Sequence, residues 1–280
     1  MSELPRTGSF KKVTSLANPL VKDIRALHQK KHRDETGLFI AEGQKLVRDA
    51  VEGGWPVHML AYAGSLAGDE QIGTLAARTK SSGGTVLEVN PQVLEKITRR
   101  ENPQNVVGVF KQRFGPEAAI GREGIWVALD RVRDPGNLGT IIRTADAAGL
   151  AGVALVGACC DAFGLETVRA TMGSIFHVPV ARTGEDGLIA QAKRHRARLV
   201  GTHLAAATID YREADYSQPL ILLMGNEQQG LTEKLAAACD ALVRIPMRGR
   251  ADSLNLAVST GLMVYEALRD RDANDRPFLP

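Results

Sequence analysis

Three short turns hold the residues of this chain whose types and spacing could do chemistry. They are Asp134-Pro-Gly-Asn-Leu-Gly-Thr-Ile-Ile-Arg143, Gly225-Asn-Glu-Gln-Gln-Gly-Leu231 and Ile245-Pro-Met-Arg-Gly-Arg-Ala-Asp-Ser-Leu-Asn255. Each follows an apolar, strand-like run and precedes a helical pattern, which is where open α/β sheets bind ligands. Singly, two of them have ordinary readings. Asn137 stands before Leu138, Ile141, Ile142 and Ala145, an i, i+3, i+4, i+7 set, and suits an N-cap, which leaves Arg143 as a surface charge. Ser253 stands in the same way before Leu254, Ala257, Val258, Gly261, Leu262 and Tyr265. The third turn shifts the balance, because Asn226 and Glu227 after a buried-looking strand need partners or solvent. Three such turns point to one shared ligand site.

Several chemistries are excluded. No Gly-x-Gly-x-x-Gly follows the first strand and no Gly-x-x-x-x-Gly-Lys-Ser/Thr occurs, so a dinucleotide fingerprint and a P-loop are both unsupported. Ser174 and Ser253 lie in no Gly-x-Ser-x-Gly elbow. Cys159, Cys160 and Cys239 make an odd count without a Cys-x-x-Cys pair, which argues for buried thiols over a disulfide framework or a zinc site. His28 and His32 stand four apart inside a Lys/Arg-rich helix, so no metal is expected.

The elements that must position these turns follow from the apolar patterning. A length of 280 residues, 44% apolar and 24% charged, suits one large or two ordinary globular domains. No apolar run approaches the ~20 residues of a membrane span. The polar, basic segment 1–12 does not resemble a secretory signal, and a cytoplasmic location is expected. Over 1–113 the patterning predicts helices at 19–31, 42–53, 70–79 and 91–97, and strands at 38–41, 57–62, 85–89 and 106–110. This is a small α/β domain. Residues 114–124 read as a linker. A second alternation over 125–280 predicts strands at 125–129, 152–156, 176–180, 199–202, 220–224 and 242–245. Helices are expected at 138–148, 188–196, 232–238 and 254–268, with an unassigned segment around 166–172. Continuous apolar runs such as Ile221-Leu-Leu-Met suit strands covered on both faces.

Charge separates the halves. Residues 1–113 carry 17 Lys+Arg against 12 Asp+Glu, a net of +5, and residues 114–280 carry 18 against 20, a net of −2. The positive charge concentrates in Lys11, Lys12, Lys22, Arg25, Lys30, Lys31 and Arg33, with a second group at Lys96, Arg99 and Arg100. Such clustering is the footprint of a phosphate-backbone binder, and equally of a solvated helix face.

Asn137-Leu-Gly-Thr-Ile-Ile-Arg-Thr-Ala-Asp, Arg169-Ala-Thr-Met-Gly-Ser-Ile-Phe, Leu223-Met-Gly-Asn-Glu-x-x-Gly-Leu231 and Ile245-Pro-Met followed by Ser253-Leu-Asn-Leu-Ala-Val-Ser resemble the ordered motifs of the SpoU/TrmH family of RNA ribose methyltransferases. The match spans residues 125–270. Phe39-Ile-Ala-Glu-Gly-x-x-Leu-Val and Pro103-Gln-Asn-Val-Val-Gly-Val are similar to the ribosomal-protein-like domain often fused ahead of that catalytic domain. The resemblance implies a SPOUT α/β domain with a trefoil knot, which acts as a homodimer and transfers methyl from S-adenosylmethionine to a ribose 2′-hydroxyl. On it, Asn137, Arg143, Glu227, Ser253 and Asn255 occupy the catalytic positions. Backbone groups of Gly225, Ile245 and Leu254 would hold the cofactor, with Thr202 and Met247 in its wall. The basic first domain becomes an RNA-docking module, with Lys22, Arg25, Lys30, Lys31 and Arg33 as its candidate contacts. Ribosomal RNA is the expected substrate class, transfer RNA the alternative, and a non-catalytic RNA-binding protein of the same fold a further one.

Overall fold

The computed structural model describes residues 8–203, 208–226 and 228–269. They form two compact units, one of residues 8–113 with Phe163–His177, the other of Phe114–Ala162 with the described residues from 178 onward.

The first unit contains β1 (Ser9–Val13), α1 (Pro19–Ala26), α2 (Lys30–Thr36), β2 (Leu38–Glu42), α3 (Gln44–Glu52), β3 (Val57–Ala63), α4 (Glu70–Ser81), β4 (Thr85–Val89), α5 (Pro91–Thr98) and β5 (Val106–Lys111). Its sheet order is β1-β4-β3-β5-β2. β1, β4 and β3 run parallel, and β5 is antiparallel to both its neighbours. One core joins Val21 and Ile24 of α1 to Val93, Leu94 and Ile97 of α5 over the sheet residues Ile40, Leu87 and Val109.

Two expectations change here. The helix expected over 19–31 breaks after Ala26, because the unwound carbonyls have other partners: Arg33 Nη1 donates to Leu27 O at 2.7 Å. His28 Nε2 reaches across to Ile97 O at 2.6 Å. The same bond corrects the reading of Arg33 as an RNA contact, since its side chain is turned inward and only 6% of the residue is exposed. β1 has no helical or alternating signal because it is a charged edge strand, with Lys11 and Lys12 exposed on its two faces and Lys12 Nζ 2.7 Å from Glu88.

The second unit contains β6 (Ile125–Asp130), α6 (Pro135–Ala147), β7 (Gly152–Val156), β8 (Val180–Thr183), α8 (Glu185–His195), β9 (Arg198–Thr202), β10 (Ile209–Asp210), β11 (Leu220–Met224), α9 (Glu233–Ala238), β12 (Ala241–Arg244) and α10 (Leu256–Leu268). Its seven strands lie in the order β10-β12-β9-β11-β6-β7-β8, every recorded pair parallel. β6, β7 and β11 are buried at every residue, as their unbroken apolar sequences require.

Between β7 and β8 the chain contributes α7 (Leu165–Ala170) and a turn of 3₁₀ helix (Ser174–Phe176) to the first unit. Phe163 and Phe176 pack against Phe39, with ring centroids 4.7 and 6.1 Å away. Trp55 Nε1 donates to Phe176 O at 2.9 Å. The Arg169 guanidinium donates twice to Glu42 Oε2, at 2.6 and 3.1 Å. These bonds explain why no strand occupies 176–180. Gly173, at φ +108°, turns the chain, Phe176 is committed to the aromatic cluster, and Pro179 has no N–H for a buried ladder. The strand starts at Val180, paired with Val153.

The three cysteines are half-buried free thiols. Burial pushes Cys160 and Cys239 up to about 12. No helix among the described residues is long and apolar enough to cross a membrane. No group of three or more His, Cys, Asp or Glu among those residues could hold a metal ion.

Candidate active site at the carboxyl ends of the parallel strands

β6, β11 and β12 run parallel, so the turns that follow them emerge at one edge of the sheet. After β6 the buried Asp130 carboxylate receives Arg131 Nε and Nη2, both at 2.9 Å, a two-pronged pair of defined geometry. Arg131 Nη1 continues to Gln229 Oε1 at 2.9 Å and so ties the first turn to the second. The second turn closes on itself. Asn226 and Gly230 exchange backbone hydrogen bonds, Asn226 Oδ1 accepts from Gln228 N at 2.9 Å, and Asn226 Nδ2 donates to Arg131 O at 2.9 Å. Gly225 has no room for a side chain, since a Cβ there would lie 2.6 Å from the Gly230 carbonyl carbon.

The helix caps differ from the expected ones. Asp134 caps α6, its Oδ1 accepting from Asn137 N at 2.6 Å, with Pro135 supplying a first-turn residue that lacks an N–H. Asn137 therefore lies in the first turn of α6 rather than at its cap. α10 is capped by Asn255 rather than Ser253, Oδ1 accepting from Ala257 N at 2.9 Å and Val258 N at 3.3 Å. Asn255 Nδ2 then donates to Asn137 Oδ1 at 2.8 Å, which joins the first and third turns.

Two neighbouring cavities result. One, of about 290 Å³, has Met224, Gly225, Ile245, Met247, Leu254 and Leu256 among its walls, with Thr202, Ser253 and Ser259 as polar points. The other, of about 310 Å³, is lined by Arg133, Asp134, Asn137, Asn226, Gln228 and Asn255. Asn226 and Gln228 line both.

The candidate cofactor residues Thr202, Gly225, Ile245, Met247 and Leu254 thus share one cavity with Ser253, and Asn137 and Asn255 share the next. Glu227 lies outside the described residues. Arg143 is brought to neither cavity. It is exposed on α6, six residues or ~9 Å of helix beyond Asn137. Sequence reasoning did not single out Arg131, Arg133, Gln228 or His203, although Arg131-Val-Arg133-Asp at a strand's carboxyl end was a readable signal. Among the RNA candidates, Lys22, Lys30 and Lys31 are exposed and Arg25 is half-buried. Lys30 and Lys31 pair with Asp34 and Glu35 at 2.5 and 3.9 Å.

A parallel sheet with a walled cavity and a polar cavity side by side at its carboxyl edge defines an α/β enzyme that binds a small cofactor next to a polar substrate. The particular family follows from comparison. Residues 124–265 match the SpoU rRNA Methylase family and residues 18–108 an MRM3-like substrate binding domain, and the chain belongs to the SpoU rRNA methylase family. It is 34% identical to a Bacillus subtilis protein named 23S rRNA (guanosine(2553)-2′-O)-methyltransferase, over 91% of this chain and 98% of that one. It is 31% identical to a Streptomyces viridochromogenes 23S rRNA (uridine(2479)-2′-O)-methyltransferase, over 95% of this chain and 94% of the other. A crystal structure described as an AdoMet-bound rRNA methyltransferase from Sinorhizobium meliloti superposes with a TM-score of 0.89 at 56% identity, covering 94% of this chain and 98% of that one.

Proposed function

We propose that this protein methylates ribose 2′-hydroxyls of ribosomal RNA with S-adenosylmethionine. The observation that carries the proposal is the pair of adjoining cavities with Asn226 and Gln228 in their common lining. The residues fit the cofactor. Met224, Ile245, Met247, Leu254 and Leu256 offer an apolar bed for a flat base and the methionyl carbon chain, and the side-chain-free Gly225 lets backbone approach closely. When bound, S-adenosylmethionine supplies an electrophilic methyl carried on a sulfonium. Its hold is assigned to Gly225, Ile245 and Leu254, with Thr202 and Met247 in the wall.

Asn137 and Asn255, fixed to each other and to the start of α10, orient the ribose from the polar cavity, and Ser253 shapes the boundary. Positioning of this kind removes orientational entropy from the barrier. Glu227 is assigned, with Asn137, to ordering the RNA and an Arg143 supplied by a second copy, since Arg143 of the same chain reaches neither cavity. Arg143 keeps its proton, because a guanidinium hardly deprotonates in proteins. It serves by pairing with the target phosphate and steadying the developing alkoxide.

The SPOUT knot belongs to this reading, supported by the insertion of β11 between β6 and β9. A homodimer also belongs to it. Val258, Leu262 and Tyr265 are 40–54% exposed and recur along one side of α10, an apolar stripe suited to a second copy. Ribosomal rather than transfer RNA is favoured by extent. A structure described as an A. aeolicus TrmH/SpoU tRNA modifying enzyme covers 56% of this chain at a TM-score of 0.50, whereas the rRNA-named relatives run through both units. A cytoplasmic location accompanies such a substrate.

The test is transfer of labelled methyl to rRNA and tRNA from a strain lacking this protein, followed by nucleoside analysis. A 2′-O-methylated nucleoside in rRNA is expected. Label in tRNA alone overturns the substrate class, and label in neither, with cofactor bound, overturns the enzyme reading.

A further inference from the structure

A third cavity of the second unit, about 350 Å³, lies at the opposite edge of the sheet, where α8 ends and β9 and β11 begin. Lys193, Arg196 and Arg198 contribute its cations, and Asp240 is the one carboxylate among its lining residues. Asp240 is occupied, accepting from Leu199 N at 2.8 Å, and Arg198 pairs with Asp215 at 2.7 Å. Lys193, Arg194 and Arg196 are exposed and have no ion pair among the described residues. Together with His195 and Arg198 they make five cationic or titratable residues in the six positions 193–198.

Helix geometry accounts for part of this run. Cations in the last turn of α8 complement its dipole, and that suffices for Lys193 and Arg194. It does not account for Arg196, which ends the helix at φ +52°, a conformation glycine adopts freely and other L-residues only with strain. A strained residue kept at a cavity rim is grounds for a functional hypothesis.

We propose that this cavity and the run 193–198 are a second RNA-docking site, which binds phosphates of the substrate away from the methylated ribose. The proposal rests on the RNA methyltransferase reading. Guanidinium forks match phosphate oxygens, and no aromatic ring lines the cavity to stack a base, so it suits backbone rather than a nucleotide. β9 has five residues, so the site stands ~16 Å from the carboxyl edge. Only RNA extending well past the target reaches it.

The test uses the full chain carrying Lys193→Gln, Arg194→Gln and Arg196→Gly, and separately Arg196→Gly alone. Full-length rRNA from a strain lacking the protein is compared with a fragment trimmed to the modified stem. For the triple variant, KM on full-length rRNA rises about tenfold and the log–log salt slope falls by roughly 2. KM on the fragment, kcat and cofactor affinity stay at wild-type values. Arg196→Gly melts no lower than wild type yet still raises KM on full-length rRNA, a combination that a purely structural role for Arg196 does not give. Unchanged KM on full-length rRNA overturns the proposal, as does an equal rise on both substrates. A rise seen with intact ribosomal subunits but not with naked rRNA also overturns it, by pointing to a protein contact. Failure of the wild type to methylate any RNA sinks the parent reading instead, and the two failures are distinguishable.

Discussion

Asn255 does two jobs with one side chain: its oxygen caps α10 and its amide hydrogen holds Asn137. Asn255→Ala should lower stability by about 1 kcal/mol, the usual worth of a cap, and also lower kcat through loss of the hold on Asn137. Asn137→Ala should lower kcat at least tenfold while leaving cofactor affinity within about twofold, a split read by steady-state kinetics beside calorimetric titration. A double-mutant cycle on the pair should be strongly non-additive. At Gly225 the constraint is steric. Gly225→Ala sets a methyl 2.6 Å from Gly230 backbone and should cost about 1–3 kcal/mol, with loss of cofactor binding in the same titration. Arg143→Ala should reduce the rate at every pH without removing an inflection from the pH–rate profile. An inflection present in the wild type and absent in the variant would make Arg143 a proton acceptor.

At the scale of elements, the segment containing α7 is held by an ion pair whose Glu42 side chain is 1% exposed. Removing the arginine leaves a buried carboxylate without its partner. Arg169→Ala should therefore destabilise by about 3 kcal/mol or more in denaturant melts. The junction between α1 and α2 is pH-sensitive through His28. Burial, opposed by the bond to Ile97 O, lowers its pKa below the usual 6.5, with the Arg99 charge adding to the effect. The unfolded chain then binds the proton more readily, so stability is full above 6.5 and falls as pH drops through the folded-state value. His28→Gln should flatten that acidic limb in melts run across the range.

At the scale of the molecule, each unit has its own sheet and core, and the two adjoining cavities belong wholly to the second. The apolar stripe on α10 makes a further prediction. Val258→Asp with Leu262→Asp should convert a dimer to monomers in sedimentation, and an unchanged sedimentation coefficient would refute the dimer. Arg143 lies outside its own chain's cavities, so mixing Arg143→Ala and Asn137→Ala subunits should restore part of the activity, each mixed dimer then holding one intact set.

Much of this protein was legible in its sequence, because local rules govern those parts. The parallel strands announce themselves as unbroken apolar runs such as Leu220–Met224, and the turns beyond them are marked by Pro, Gly, Asn and Ser. Other features depend on partners far away in sequence. Whether Asn137 or Asp134 caps α6 turned on Pro135 at the first helical position and on Asn255, 118 residues on, which takes up the Asn137 oxygen. Arg33 looked like one more surface cation until the break after α1 gave it a carbonyl to bind. Residues 163–177 sit between two strands of the second unit yet fold with the first. Phe39, Trp55 and Phe110 give their aromatic rings a core, and Glu42 gives Arg169 a counter-charge. Periodicity shows which residues want burial or a partner, and only the folded chain decides which surface supplies it.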